Sequence, residues 1–332
     1  MRNILCVTLI ALLGGCTSTS VTEKYLDKRN DIINVKDKVI EFETGNVLIG
    51  SVSRLYMSNK CLLIADHKSV DKQIHIFNKN DFSYLTSIGN FGEGPEEITV
   101  MGCLAIDEAH HQLYVSDHAK QKIFSYDMDS VMVDSLYKPQ VKTAMNETLF
   151  PSEYQYINDT LSIAVLIKPT STSTFNQFLG RWNMNTGEMI PMKYTHPDIQ
   201  KKRITFAASE KAGIYVECYT RHDLMTICSL DGELLYNIYG PDWDGGNGNK
   251  LQSFGTVMIG NDKIFVSYCG EDYARDSFPT KILVFDLEGN YLKTLETGYK
   301  ISDCCYDSFN NRIILSLNDV VQFAYLDIDG II

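Results

Sequence analysis

One turn-bearing unit recurs six times along this chain, and that recurrence limits the fold more than any other feature. It is an aromatic or apolar run, an acidic or amide turn often holding glycine, and a second run. The copies are "FNKNDFSYL" from residue 77, "YDMDSVMV" from 126, "WNMNTGEMI" from 182, "SLDGELLY" from 229, "FDLEGNYLKTL" from 285 and "LDIDGII" from 326. Asn, Asp and Gly are the residues that tight hairpin turns demand, so each copy is expected as strand, turn, strand. A second series precedes the first: "MSNKCLLIAD", "IDEAHHQLYVSD", "INDTLSIAVL", "SEKAGIYVEC", "IGNDKIFVSY" and "DSFNNRIILSL". No stretch carries a convincing amphipathic helical period.

Two hairpins per repeat, with a period of roughly 40 to 57 residues, make a unit the size of a propeller blade. The expectation is an all-β, six-bladed β-propeller of four-stranded antiparallel blades. The last repeat reaches Ile332 having only begun its fourth strand, and "DKVIEFE" at 37–43 alternates as that missing strand should. Pairing the two ends would close the ring and remove its open edges. The propeller then spans 37–332.

The stretch "IGNFGEGPEEI" at 88–98 joins the outermost strand of the first blade to the innermost strand of the second. Its Gly-x-x-Gly-x-Gly order is the wrong one for a dinucleotide loop, which opens directly into a helix. Glycines allow unusual backbone angles and Pro95 stiffens the crossing. Through Gly89, Gly92, Gly94, Pro95 and Glu97 it resembles the connector of NHL-type repeats and of TolB-like six-bladed propeller lipoproteins of Gram-negative bacteria. "LLIADHK" and "LYVSDHAKQKIFSYD" are similar to the strand of those repeats that ends in Asp. The resemblance implies the propeller fold, and an aspartate with a structural role.

The first residues carry a separate message. Arg2, an apolar run from Ile4 to Leu13 and then Leu13-Gly14-Gly15-Cys16 have the layout of a secretory signal, too short to span a bilayer. The run resembles a bacterial lipoprotein signal. That resemblance implies cleavage after residue 15, lipidation of Cys16 and a membrane anchor, with each buried methylene contributing about 0.8 kcal/mol. Residues 16–36 are expected as anchor and tether. Thr17 stands where an inner-membrane retention aspartate would, and "TSTSVTEK" lacks an early acidic run, so a periplasm-facing place on the outer membrane is expected. Asp and Glu number 42 against 30 Lys and Arg, a net charge of −12, which excludes nucleic acid as a natural partner. Cys61, Cys103, Cys218, Cys228, Cys269, Cys304 and Cys305 sit mostly in apolar runs without a C-x-x-C pair and read as core thiols, with a single disulfide as the alternative.

Propeller topology gathers the blade connectors and the turns between second and third strands on one face, around the central channel. That face is expected to hold Asp66, His67, Asp117, His118, Arg221 and His222, the loop 269–278 with Tyr273 and Arg275, and the connector 240–253 with Trp243. Trp, Tyr and Arg are the side chains that dominate binding hot spots. The repeated Asp-His has two readings: a shared metal pair, or turn aspartates that bind backbone amides beside solvated histidines. Six-bladed lactonases hold calcium at the channel mouth through acidic and amide residues on the innermost strands. Here only Glu153 and Asp303 begin such strands suitably, and no Gly-x-Ser-x-Gly elbow is present. No catalytic residue, metal or cofactor is therefore expected. The expected role is a monomeric, non-catalytic envelope lipoprotein binding a protein, peptide or glycan. The alternative is a metal-dependent, lactonase-like hydrolase using Asp66, His67, Asp117 and His118.

Overall fold

The computed structural model describes residues 22–134, 136–248 and 250–332; the signal segment and Cys16 lie outside them. The described strands form six sheets in chain order. Blade 1 is Ser53–Met57, Cys61–Asp66, Lys72–Asn78 and Tyr84–Asn90. Blade 2 is Met101–Asp107, Gln112–Asp117, Lys122–Asp127 and Gln140–Ala144. Blade 3 is Phe150–Asn158, Leu161–Pro169, Phe175–Trp182 and Met189–Pro191. Blade 4 is Ile204–Ser209, Ile214–Tyr219, Leu224–Ser229 and Leu234–Tyr239. Blade 5 is Leu251–Gly260, Lys263–Asp272, Lys281–Asp286 and Tyr291–Glu296. Blade 6 takes Ile301–Asp307, Arg312–Leu317 and Phe323–Asp327 from the end of the chain and Val39–Glu41 from its beginning, the last pair antiparallel.

Successive residues of a strand point to opposite faces of its sheet. In Cys61–Asp66, Leu62 and Ile64 pack toward blade 6 while Cys61, Leu63 and Ala65 pack toward blade 2. The same division runs round the molecule, so the described core falls into six clusters, each pressed between consecutive blades. The sixth lies between blades 6 and 1, and that contact makes the array a ring. All seven described cysteines are free and buried within it.

The connector at 88–98 is fixed by its own polar groups. Gly89 takes φ +73°, and a side chain at Gly92 would collide with Glu97, whose carboxylate accepts from the Gly94 amide at 2.8 Å. Lys120 of blade 2 donates to the carbonyls of Gly94 and Glu97, each at 2.5 Å.

Two expectations fail. "YDMDSVMV" is not a hairpin: Asp127 caps a short helix, Met128–Val133, by accepting from the Ser130 amide at 2.8 Å, and Val131 is buried. A capping Asp after a strand competes with turn formation, and the fourth strand of blade 2 is pushed downstream to Gln140–Ala144. The described part of the tether, 22–36, lies on the ring as a belt. Glu23–Tyr25 adds a parallel fifth strand to blade 4 and Ile32–Asn34 another to blade 5. Leu26, Val35 and Phe42 enter the seams between blades 4 and 5, 5 and 6, and 6 and 1. Between the strands Arg29 turns inward and donates to both oxygens of Asp223, Nη2 to Oδ1 at 2.6 Å and Nη1 to Oδ2 at 3.1 Å.

Asp223 is fully buried and Arg29 nearly so. Removing one partner of such a pair strands the other charge, at a cost of about 3–5 kcal/mol. Arg29→Ala should therefore lower the unfolding free energy in urea by about 3 kcal/mol, whereas Lys28→Ala, at an exposed position of the same segment, should change it by less than about 0.5 kcal/mol. A free tether requires both changes to be silent.

Candidate ligand-binding channel

The innermost strands of all six blades line a central cavity of about 1330 Å³. Five charged residues line it: Arg54, Glu153 and Asp303 on the innermost strands of three blades, and Lys68 and Glu108 on turns. The pairing register shifts beside Glu153 and beside Asp303, and a bulge of this kind re-aims the side chain it carries. Arg54 Nη1 meets Glu153 Oε1 at 2.9 Å across the cavity. Asp303 accepts from the Leu55 amide at 2.8 Å and the Thr256 hydroxyl at 2.7 Å, so it joins blades 6, 1 and 5. Burial pushes its carboxyl above the usual range, against the pull of those hydrogen bonds and of Arg54.

The two Asp-His pairs divide their labour. Asp66 is buried and accepts from the amides of Gly50 at 2.7 Å and Lys68 at 2.9 Å. Asp117 is fully buried and accepts from Thr99, Val100, Ala119 and Lys120 amides between 2.8 and 3.2 Å. Each clasps its own turn to the incoming blade connector, and neither offers oxygens to a metal. Asp223 holds the outgoing connector instead, accepting from the Asp242 amide at 3.1 Å. The histidines that follow face the cavity. The Nε2 atoms of His67 and His118 are buried without a partner, and burial lowers both imidazoles below their ordinary pKa. His118 lies on the inner strand of blade 2 because Gly102 has no side chain; a Cβ there would stand 2.4 Å from Nε2.

The other expected site residues sit on the same face with unequal access. Blades 3 and 5 extend their first two strands to nine and ten residues, against six for Ile214–Tyr219. At about 3.3 Å per residue their tips rise roughly 10 Å on either side of blade 4. The Arg221 guanidinium lies over the half-exposed Tyr273 ring, and Arg275 pairs with Glu271 at 2.9 Å on the surface. Trp243 is turned inward instead, with its ring 5.0 Å from Tyr239, 5.7 Å from His196 and 5.9 Å from His222. His222 is buried in that cluster. Both act as packing, since "PDWDGG" folds the indole back onto blade 4. Among the described residues one set of three donors lies close enough to share a metal, Asp107, His110 and Asp159, in turns on the opposite face; Asp66, His67, Asp117 and His118 form no such set. Nothing in the local pattern of "SVSRLY" marks Arg54, whose partner Glu153 lies two blades away.

Residues 19–176 match a family described as a 6-bladed beta-propeller. Solved structures similar over most of the chain include a candidate exported protein of Bacteroides fragilis, at 14% identity, TM-score 0.59, covering 89% of this chain and 88% of that one. A member of the DUF4221 family from Bacteroides vulgatus aligns at 10% identity and TM-score 0.58, over 90% and 98% of the two chains. The Cps50 (Swd1) beta-propeller domain of Myceliophteria thermophila aligns at 10% identity and TM-score 0.54, over 85% and 98%. At these identities the likeness shows the fold alone. No curated protein matches the sequence.

Burial lowers five imidazoles, His67, His75, His118, His196 and His222, and the Asp107 carboxylate raises one, His110. Below about pH 6.5 the unfolded chain binds protons that the five folded imidazoles refuse, so stability falls as pH drops through that value. Among the histidines His110 opposes the trend, and the raised carboxyl of Asp303 opposes it in the same sense. The melting temperature should fall between pH 7 and pH 5, and less steeply in a His67→Gln, His118→Gln variant; a flat profile contradicts the assignment.

Proposed function

We propose that this chain is a non-catalytic binding propeller of the cell envelope, anchored through a lipidated Cys16, that engages a protein, peptide or glycan on the face where the channel opens. The observation that carries this reading is the pair of raised hairpins of blades 3 and 5. They stand above the shorter strands of blade 4, and Tyr273 with its stacked Arg221 lies beside it. Aromatic and arginine side chains beside a concavity are the usual anchors of recognition. Groups that could act in catalysis are committed elsewhere. Asp66, Asp117 and Asp303 hold backbone or hydroxyl donors. Burial pushes the Cys103 thiol up to about 12 and raises those of Cys218, Cys304 and Cys305, so none is a ready nucleophile.

A photo-crosslinking residue at position 273 should capture a discrete envelope partner in cells, and one at Phe309, exposed on the opposite face, should not. Arg221→Ala should weaken capture without lowering the melting temperature, and Cys16→Ser should release the chain from the membrane fraction. Equal capture from both faces overturns the placement.

A further inference from the structure

The channel wall holds polar capacity that the fold does not use. Arginine carries five N–H donors in a planar fork, and Arg54 has one partner among the described residues, Glu153 at a single nitrogen. The Arg54 and Glu153 side chains are 46% and 39% exposed, so both face the open cavity. His67 and His118 line the same wall, and the Nε2 atom of each is buried beneath it without a partner. Arg54 is near enough to His67 to disfavour its protonation, and Glu153 near enough to His118 to favour it, so the four form one neighbourhood.

These groups state what would complete them. The unspent side of a guanidinium fits a carboxylate bidentately. A neutral imidazole nitrogen is either a donor or an acceptor, and a hydroxyl satisfies it in either case. The free oxygen of Glu153 takes a hydroxyl in the same way. We propose that the central channel binds a small acidic sugar, its carboxylate on Arg54 and its ring hydroxyls on His67, His118 and Glu153. The cavity, about 1330 Å³, has room for such a molecule. Asp303 does not compete for the sugar's cationic partner, because its oxygens are held by Leu55 and Thr256. Glu153 does compete, since it occupies one edge of Arg54, and this fixes the sign of its substitution.

The site deepens the binding reading but does not depend on the rim partner, so the two fail separately. Calorimetric titration of the purified chain with glucuronate should show saturable binding, with succinate and glucose at least about tenfold weaker. Arg54→Gln should weaken glucuronate about tenfold or more and Arg54→Lys less, because the ammonium keeps charge without the fork. Glu153→Gln should bind as tightly as the parent or more tightly. Melting curves identify any variant that fails to fold, and Arg54→Lys then carries the comparison. Equal binding of succinate overturns the role of the hydroxyls, and equal binding of glucose that of the carboxylate. Unchanged affinity in Arg54→Gln, or no binding of any of the three, overturns the site while leaving capture at Tyr273 untouched.

Discussion

The structure depends on one pairing: three residues near the start of the chain, Val39–Glu41, complete the blade made by its end. Each core cluster lies between two blades, so an open array of six would lose one seam and uncover the two blade faces that form it. Closure also hides the outer edge of blade 6, which would otherwise invite pairing with another chain. The belt extends that logic. On its way to blade 6 the chain adds a strand to blade 4 and then to blade 5 and sets apolar side chains into the seams it passes, and Phe42 fills the next seam just beyond the closing strand. Chain ends that would fray in isolation are thereby tied into the cooperative unit.

Closure is what builds the channel. Arg54, Glu153 and Asp303 come from blades 1, 3 and 6, and no local structure could bring them together. The ring sets their radius, the bulges at Glu153 and Asp303 set their aim, and Asp303 bonds its neighbours on either side. On the face above, Asp66, Asp117 and Asp223 clamp turns to connectors, so the histidines and Arg221 that stand beside them are presented on fixed backbone. A polar wall held in this way is preorganised: a ligand would meet groups already oriented.

Much of this was legible in the sequence because hairpin chemistry is local. Turn residues and alternating strands mark the blades, the inner strands and the closing segment, whereas the aspartates of "LLIADHK" and "LYVSDHAKQ" allow two readings from sequence and are found accepting backbone amides. What escaped depends on distant partners. The belt strands are three residues long, too short for a period, and their apolar pegs are spaced to match blades, not turns. "YDMDSVMV" offered both a turn and a capping aspartate, and burial of Val131 decided for the helix. Trp243 reads as a surface anchor until Tyr239 and two histidines are seen around it. Arg54 gains meaning only beside Glu153, which the chain reaches two blades later.

Hydrogen exchange of backbone amides would test the ring most directly. If the closing strand belongs to the same cooperative unit as the rest, the amides of Val39–Glu41 and of its neighbour Phe323–Asp327 will open with one free energy, close to that of global unfolding. Rapid exchange in 39–41 while Phe323–Asp327 stays protected would contradict the account, since blade 6 would then stand open and the channel would not be closed on all sides.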